Sequence, residues 1–121
     1  MIKGLGLGKK LGFPTANLEV PYYKFVPPRG VYAVKIEIQN SQFLGAMNIG
    51  IKPTLGEKLK ETIEIHIFDF NQNIYHQEIR VEIFKKIREE KKFSNLEELK
   101  RQIEADCEQI RKFFASYFTS T

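Results

Sequence analysis

The feature that most constrains the fold is a change in hydrophobic spacing near residue 94. In separate segments between residues 31 and 83 apolar residues recur at every second position, the spacing of half-buried β-strands. Beyond residue 94 they recur at helical spacing, at Leu96, Leu99, Ile103, Ile110, Phe113 and Tyr117. Several strands followed by one helix predict a mainly β fold, an antiparallel sheet or barrel with a long C-terminal α-helix.

Four segments carry the strand pattern, at residues 31–39, 42–49, 62–70 and 79–83, with a turn predicted at Asn40-Ser41. The helix is predicted from about residue 95 to about residue 118. It begins with a capping-box sequence, in which the Ser94 hydroxyl is expected to accept the Glu97 amide and the Glu97 side chain to reach back. Cys107, within the helix, is predicted to be a buried packing residue.

Length and composition indicate one ordinary domain over residues 1–121, with 42% hydrophobic and 28% charged residues. The net charge of +4 fits either a solvated lysine-rich surface or attraction for an anionic ligand such as a nucleotide phosphate. The charges form no dense basic block, so no nucleic-acid partner is expected.

A single cysteine excludes an internal disulfide. No stretch of the sequence reaches transmembrane length, so a cytoplasmic protein without a membrane partner is expected.

Residues 4–12 hold four glycines in nine positions and predict a loop. Backbone N–H groups of such a loop can bind phosphate oxygens, with Lys9 and Lys10 adding positive charge. Neither the Walker A pattern nor the dinucleotide pattern G-x-G-x-x-G is fulfilled, because lysines occupy required positions. A loop without ligand therefore remains an equal alternative.

Thr15 and Asn17 lie two residues apart in a segment predicted to be extended, so their side chains are expected on one face. Their neutral oxygens suit Mg²⁺ when nucleotide phosphates complete the coordination. The alternative is a pair that makes local turn hydrogen bonds.

Glu64 is the third candidate, in the strand over residues 62–70. Three isoleucines form one face of this strand, and the opposite face carries Glu64, His66, Phe68 and Phe70. Two phenylalanines there favour a partly covered face, where a carboxylate can accept a proton from a substrate hydroxyl. A plain solvent-facing glutamate is the alternative, and for His66 a hydrogen-bonding role is favoured over metal ligation.

The segment L-G-F-P-T-A-N-L at residues 11–18 resembles the hallmark of bacterial riboflavin kinases. The resemblance continues through G-V-Y-A-V at 30–34, N-I-G-I-K-P-T at 48–54, I-E-I-H-I-F-D-F at 63–70 and I-R-E-E-K-K-F at 87–93. It covers nearly the whole chain. It implies a Greek-key-like β-barrel of roughly six antiparallel strands with a C-terminal helix, and an enzyme that transfers phosphate from MgATP to riboflavin and forms FMN.

The resemblance also implies roles for individual residues. Thr15 and Asn17 would hold Mg²⁺, and Glu64 would be the catalytic base. Residues near the ATP phosphates would be Gly6, Gly8, Lys10, Pro14, Thr15 and Asn17. Arg88 and Phe93 would form the flavin-side wall.

Two departures and two alternatives qualify this expectation. Only residues 1–3 precede Gly4, where family members carry another strand, so a barrel without its first strand is one expectation. Many bacterial relatives carry an adenylyltransferase domain that makes FAD, but this sequence has no H-x-G-H signature, so FAD synthesis is not expected. The chain would then be part of a larger bifunctional protein or a shortened version.

The main alternative to a riboflavin kinase is a non-catalytic flavin- or nucleotide-binding module. The other alternative is a nucleic-acid-binding barrel.

Overall fold

The computed structural model describes residues 2–3, 16–17, 27–53, 59–70 and 78–119. These contain six strands and one helix, named in chain order β1 (Ile2–Lys3), β2 (Ala16–Asn17), β3 (Gly30–Ile38), β4 (Ser41–Pro53), β5 (Leu59–Ile67), β6 (Arg80–Arg88) and α1 (Leu96–Thr119). The helix bounds confirm the prediction to within one residue at each end. No helix in the described ranges is both long enough and apolar enough to cross a membrane.

The strands form one sheet in the order β1-β2-β5-β4-β3-β6, and every neighbouring pair is antiparallel. Among the described residues no pairing joins β6 to β1, so the sheet is open there and the predicted barrel is only approximate. Ile2–Lys3, which the sequence prediction left outside the sheet, pairs with β2. The mainly antiparallel fold with a C-terminal helix is confirmed.

The β3–β4 hairpin turns one residue earlier than predicted. Gln39 and Asn40 have φ values of 48° and 69°, and Ser41 already belongs to β4. Two consecutive positive φ values are typical of the tight turns whose twist matches paired antiparallel strands. Asparagine tolerates this conformation better than most residues, which explains its position here.

One face of the sheet carries the inner cluster, formed by buried residues of β3, β4 and β5. Its members are Tyr32, Val34, Ile36, Ile38, Met47, Ile49, Ile63, Ile65 and Ile67. The alternation predicted for the first and third segments is therefore confirmed. Phe70 is an exception, because β5 ends at Ile67 and the chain turns at Asp69, where φ is 56°. Phe70 consequently packs against the inner cluster and contacts Phe43 edge-on, instead of sharing the face of Glu64.

The opposite face carries the helix cluster, where α1 packs on the sheet. Its buried members are Ala33, Phe68, Cys107, Ile110 and Phe114. Two register shifts in the β3–β6 pairing leave Phe84 and Ile87 without Cα partners, and both pack against this cluster. A bulge redirects side chains in this way, so β6 supplies apolar surface to the helix that strict alternation would not.

The helix cap differs from the prediction by one residue. The Asn95 Oδ1 atom accepts a 2.8 Å hydrogen bond from the Glu98 backbone N–H, so Asn95 is the N-cap. The carboxylate that reaches back belongs to Glu98, whose Oε2 accepts a 2.8 Å bond from the Ser94 hydroxyl. Glu97 instead forms an exposed ion pair with Arg101. The predicted Ser94–Glu97 box is therefore wrong, because the helix starts one residue later.

We expect Asn95→Ala to lower the free energy of unfolding by about 1 kcal/mol, because it leaves a helix N–H without its acceptor. Glu97→Ala is the matched control and should cost at most about 0.5 kcal/mol, since it removes only an exposed i,i+4 pair. Urea denaturation measures both. An equal or larger loss in the Glu97 variant would contradict a cap at Asn95.

Candidate active site

A row of directly paired residues crosses the sheet and carries most of the polar candidates. Glu64 of β5 pairs with Asn17 of β2 on one side and with Asn48 of β4 on the other. Asn48 pairs with Val31 of β3, which pairs in turn with Arg88 of β6. Neighbouring strands lie about 4.8 Å apart, so the row from Glu64 to Arg88 spans roughly 14 Å.

The described side chains of this row line one cavity between the sheet and the N-terminal half of α1. Its volume is about 560 Å³, within the range of small-molecule sites. The sheet contributes Glu64, Asn48 and His66. Because paired residues of adjacent antiparallel strands project to the same face, the register explains how Glu64 and Arg88 reach one cavity. The polar side chains of the row line the sheet side of this cavity, and α1 adds Leu96, Leu99 and Ile103 together with Asp106.

The segment after β6 closes another side of the cavity. Glu90, Lys91 and Phe93 line it together with Arg88. The Arg88 Cζ and Lys91 Nζ atoms each lie 5.9 Å from the centroid of the Phe93 ring, within reach of a cation–π interaction. This wall therefore combines an aromatic ring with positive charge.

Arg88 is fixed by a buried acid on the helix. Its Nε and Nη2 atoms donate to Asp106, with Nε–Oδ1 at 2.9 Å and Nη2–Oδ2 at 2.8 Å. Asp106 is 5% exposed and also accepts a 2.9 Å hydrogen bond from Gln102. Sequence reasoning missed Asp106. Its signal was present, because it follows Ile103 by three residues and precedes Ile110 by four, which puts an acid on the apolar face.

Cys107 also lines the cavity, and it is buried as predicted. Burial raises the pKa of its thiol from the ordinary 9.0 to about 11, and the neighbouring Asp106 charge acts in the same direction. The folded state therefore holds the neutral thiol across the neutral pH range. Because the unfolded chain loses this proton near pH 9 and the folded chain only near pH 11, the fold loses stability as the pH rises through that range.

We expect the Cys107 thiol of the folded chain to resist iodoacetamide at pH 8 and to react readily in urea, since the thiolate is the nucleophile. Mass spectrometry counts the added carbamidomethyl group at each time point. Equal labelling rates with and without urea would contradict a buried, protonated thiol.

The predicted site residues divide into two groups. Glu64, Arg88 and Phe93 line the same cavity. The backbone of Asn17 belongs to β2 opposite Glu64, while Gly6, Gly8, Lys10, Pro14 and Thr15 lie outside the described residues. Asn48 is a further cavity residue that the sequence did not identify, because its place beside Glu64 depends on strand register.

Within the described ranges no three acidic, histidine or cysteine residues are grouped closely enough to hold a metal ion. The ligands implied by the sequence are of another kind, a hydroxyl and an amide oxygen beside nucleotide phosphates. The pairing of Asn17 with Glu64 is compatible with this donor set, since it brings an oxygen-bearing residue type next to the carboxylate.

An antiparallel sheet, a helix packed on one face and an acid-containing cavity between them together define a small β domain with a candidate ligand site. The model of the flavokinase (riboflavin kinase) family matches residues 1–114. The chain therefore belongs to the flavokinase family, as its motifs implied.

Individual relatives agree with this assignment. The bifunctional riboflavin kinase/FMN adenylyltransferase of Bacillus subtilis is 44% identical over 96% of this chain and 37% of its own length. The enzyme of the same description from Haemophilus influenzae is also 44% identical, with the same coverage. The RNA-binding riboflavin kinase RibR of Bacillus subtilis is 45% identical over 94% of this chain and 49% of its own length. The expectation that this chain has no nucleic-acid partner therefore stays a prediction.

A solved structure supports the fold. It is described as a macrolide-efflux protein from Streptococcus pneumoniae, and it matches with a TM-score of 0.81 at 34% identity, over 91% of this chain and 36% of that one. The chain thus spans between about a third and a half of the proteins it resembles.

Proposed function

We propose that this chain is an ATP:riboflavin 5′-phosphotransferase, which transfers the γ-phosphate of MgATP to the ribityl 5′-hydroxyl of riboflavin and yields FMN and ADP. Residues 1–121 would act as one riboflavin kinase domain. Membership of the flavokinase family supports the reaction class. The observation that carries the proposal is the row of directly paired residues across the sheet, which joins Glu64 to Arg88 within a single cavity.

Glu64 is the proposed base. It is half-buried and lines the cavity, so a substrate hydroxyl bound there would be within reach of its carboxylate. As the hydroxyl oxygen attacks the γ-phosphorus, its proton passes to Glu64, and the bond to the ADP oxygen breaks. Phosphoryl transfer depends mainly on positioning and charge neutralisation, so orientation of the hydroxyl is as important as removal of its proton.

Asn48 is suited to assist in that orientation. It is exposed to the cavity and is the direct cross-strand neighbour of Glu64. Its amide has both donor and acceptor atoms, so it can hydrogen-bond a ribityl hydroxyl in either sense. The chain would thus bind the ribityl group between two neighbouring strands.

The nucleotide would lie on the β2 side of Glu64. ATP-dependent phosphoryl transfer generally uses a divalent metal ion, and we assign Mg²⁺ to Thr15 and Asn17 together with the nucleotide phosphates. The ion would neutralise charge on the phosphoryl oxygens. The β2–β5 pairing supports this assignment, because it makes Asn17 the direct neighbour of Glu64. Backbone N–H groups around Gly6 and Gly8, with Lys10, would bind the phosphates.

The flavin ring would lie at the other end of the row. Arg88 and Phe93 line that part of the cavity, and the apolar wall includes Leu99 and Ile103 of α1. A flat, largely apolar ring with polar edges fits an aromatic and aliphatic wall that carries one guanidinium.

The proposal is tested by incubating the purified chain with riboflavin and MgATP and separating the flavins by chromatography. We expect FMN and ADP to accumulate in equal amounts. Reactions without ATP or without Mg²⁺ serve as controls. Flavin binding without FMN formation would contradict the proposal and favour a binding module.

A further inference from the structure

The ion pair between Arg88 and Asp106 is a partly buried contact in the lining of the cavity. Arg88 is 21% exposed and Asp106 7% exposed in their side chains, and they join the end of β6 to the middle of α1. Breaking a buried pair of this kind leaves an uncompensated charge. Asp106 accepts from both Arg88 and Gln102, so its carboxylate is held on two sides.

The guanidinium has more donors than the ion pair uses. It carries five N–H bonds. Nε and Nη2 each donate one to Asp106, and Nη1 donates one to the Glu89 carbonyl oxygen at 3.0 Å. Two N–H bonds therefore have no partner among the residues that the structure describes. Arg88 lines the cavity, so a ligand bound there would lie beside this guanidinium.

The same guanidinium also supports the cavity wall. Its bond to the Glu89 carbonyl fixes the first residue after β6, and its Cζ atom lies 5.9 Å from the Phe93 ring. The Glu89 side chain is tied in addition to Lys86 by a 2.7 Å ion pair. The orientation of Arg88 thus determines where this wall begins.

We propose that Asp106 is a positioning residue for flavin-ring recognition. It holds Arg88 so that the two remaining N–H bonds face an acceptor on the ring, and so that residues 89–93 form the adjacent wall. This inference rests on the proposed function for the identity of the ligand. The polar edge of the flavin ring carries the carbonyl oxygens that a guanidinium recognises.

The test uses lumiflavin, the flavin ring without its ribityl chain, because it reports ring binding separately from phosphoryl transfer. We expect Asp106→Asn to weaken lumiflavin binding roughly ten- to hundredfold, measured by fluorescence quenching. The KM for riboflavin should rise by a similar factor, while the KM for ATP and kcat at saturating riboflavin stay near the parental values. A merely structural role would lower the melting temperature and the active fraction without this split.

Asp69→Asn is the matched control. Asp69 also pairs with a helix arginine, Arg111 at 3.5 Å, but neither residue lines the cavity. Asparagine tolerates the positive φ at this position, so the fold should persist and flavin binding should not change.

Arg88→Lys tests the role of the guanidinium in lumiflavin binding if Asp106→Asn does not fold. It keeps a cation beside Asp106 but replaces the fork of donors by one nitrogen, so lumiflavin binding should again fall at least about tenfold. Parental lumiflavin affinity in a folded variant of either residue would overturn the inference. A parental chain that binds lumiflavin through Asp106 yet forms no FMN would overturn the proposed function and leave this inference standing.

Discussion

Glu64→Gln is expected to lower the rate of FMN formation by roughly a hundred- to ten-thousandfold, the usual contribution of a general base. Glutamine preserves the size of the side chain and one acceptor oxygen, but it cannot take a proton near neutral pH. The inner cluster should be unaffected, because Ile63 and Ile65 pack on the opposite face of β5. Flavin and ATP should therefore still bind.

Two measurements separate this result from the alternatives. Flavin fluorescence quenching reports binding, and chromatography reports FMN. Glu61→Gln is the matched control, since Glu61 is an exposed residue of the same strand that does not line the cavity. Both variants should bind riboflavin, and only Glu64→Gln should lose turnover. A fully active Glu64→Gln enzyme would remove this residue as the base and leave the family assignment intact.

Asn17→Ala is expected to reduce turnover by at least about a hundredfold, and Thr15→Ala by a similar factor. Each change removes an oxygen proposed to hold Mg²⁺ and the nucleotide phosphates. The register provides the structural reason for Asn17, because it pairs directly with Glu64. The loss should be largest at low Mg²⁺ concentration, and titrating Mg²⁺ in the FMN assay measures it.

Gln42→Ala is the control for these two variants. Gln42 is an exposed amide residue on β4 that lies outside the cavity, so its removal should change neither the rate nor the Mg²⁺ dependence. Circular dichroism checks that every variant is folded. Near-parental FMN production by either Asn17→Ala or Thr15→Ala at all Mg²⁺ concentrations would contradict the assigned ligand role.

The fold could be predicted largely from periodicity. The alternation through β3 and the helical spacing after residue 94 each reflect a face that must be buried, so the residue pattern carries them directly. The errors lie where short-range geometry decides. The β3–β4 turn, the end of β5 at Ile67 and the cap at Asn95 each depend on one or two residues. The bulges that turn Phe84 and Ile87 towards α1 left no signal in the alternation.

The candidate site was predictable in its residue types but not in its arrangement. Glu64 was a candidate from the strand pattern, whereas Arg88 and Phe93 were identified through family motifs, and all three line one cavity. That Asn48 is the neighbour of Glu64 follows from the register of β4 with β5, which no local pattern specifies. The tie from Arg88 to Asp106 spans 18 residues and depends on how α1 packs on the sheet. The spacing of Asp106 from Ile103 and Ile110 is a signal that the sequence reasoning missed, and only the fold supplies its partner.

Transfer to the ribityl 5′-hydroxyl is tested by following the terminal phosphate of ATP. The purified chain is incubated with Mg²⁺, γ-³²P-labelled ATP and either riboflavin or 5′-deoxyriboflavin, which lacks the accepting hydroxyl. We expect label to appear in FMN in a one-to-one ratio with ADP, and 5′-deoxyriboflavin to receive no label while it competes with riboflavin. Release of labelled inorganic phosphate without labelled FMN, or label on 5′-deoxyriboflavin, would contradict transfer to the ribityl 5′-hydroxyl.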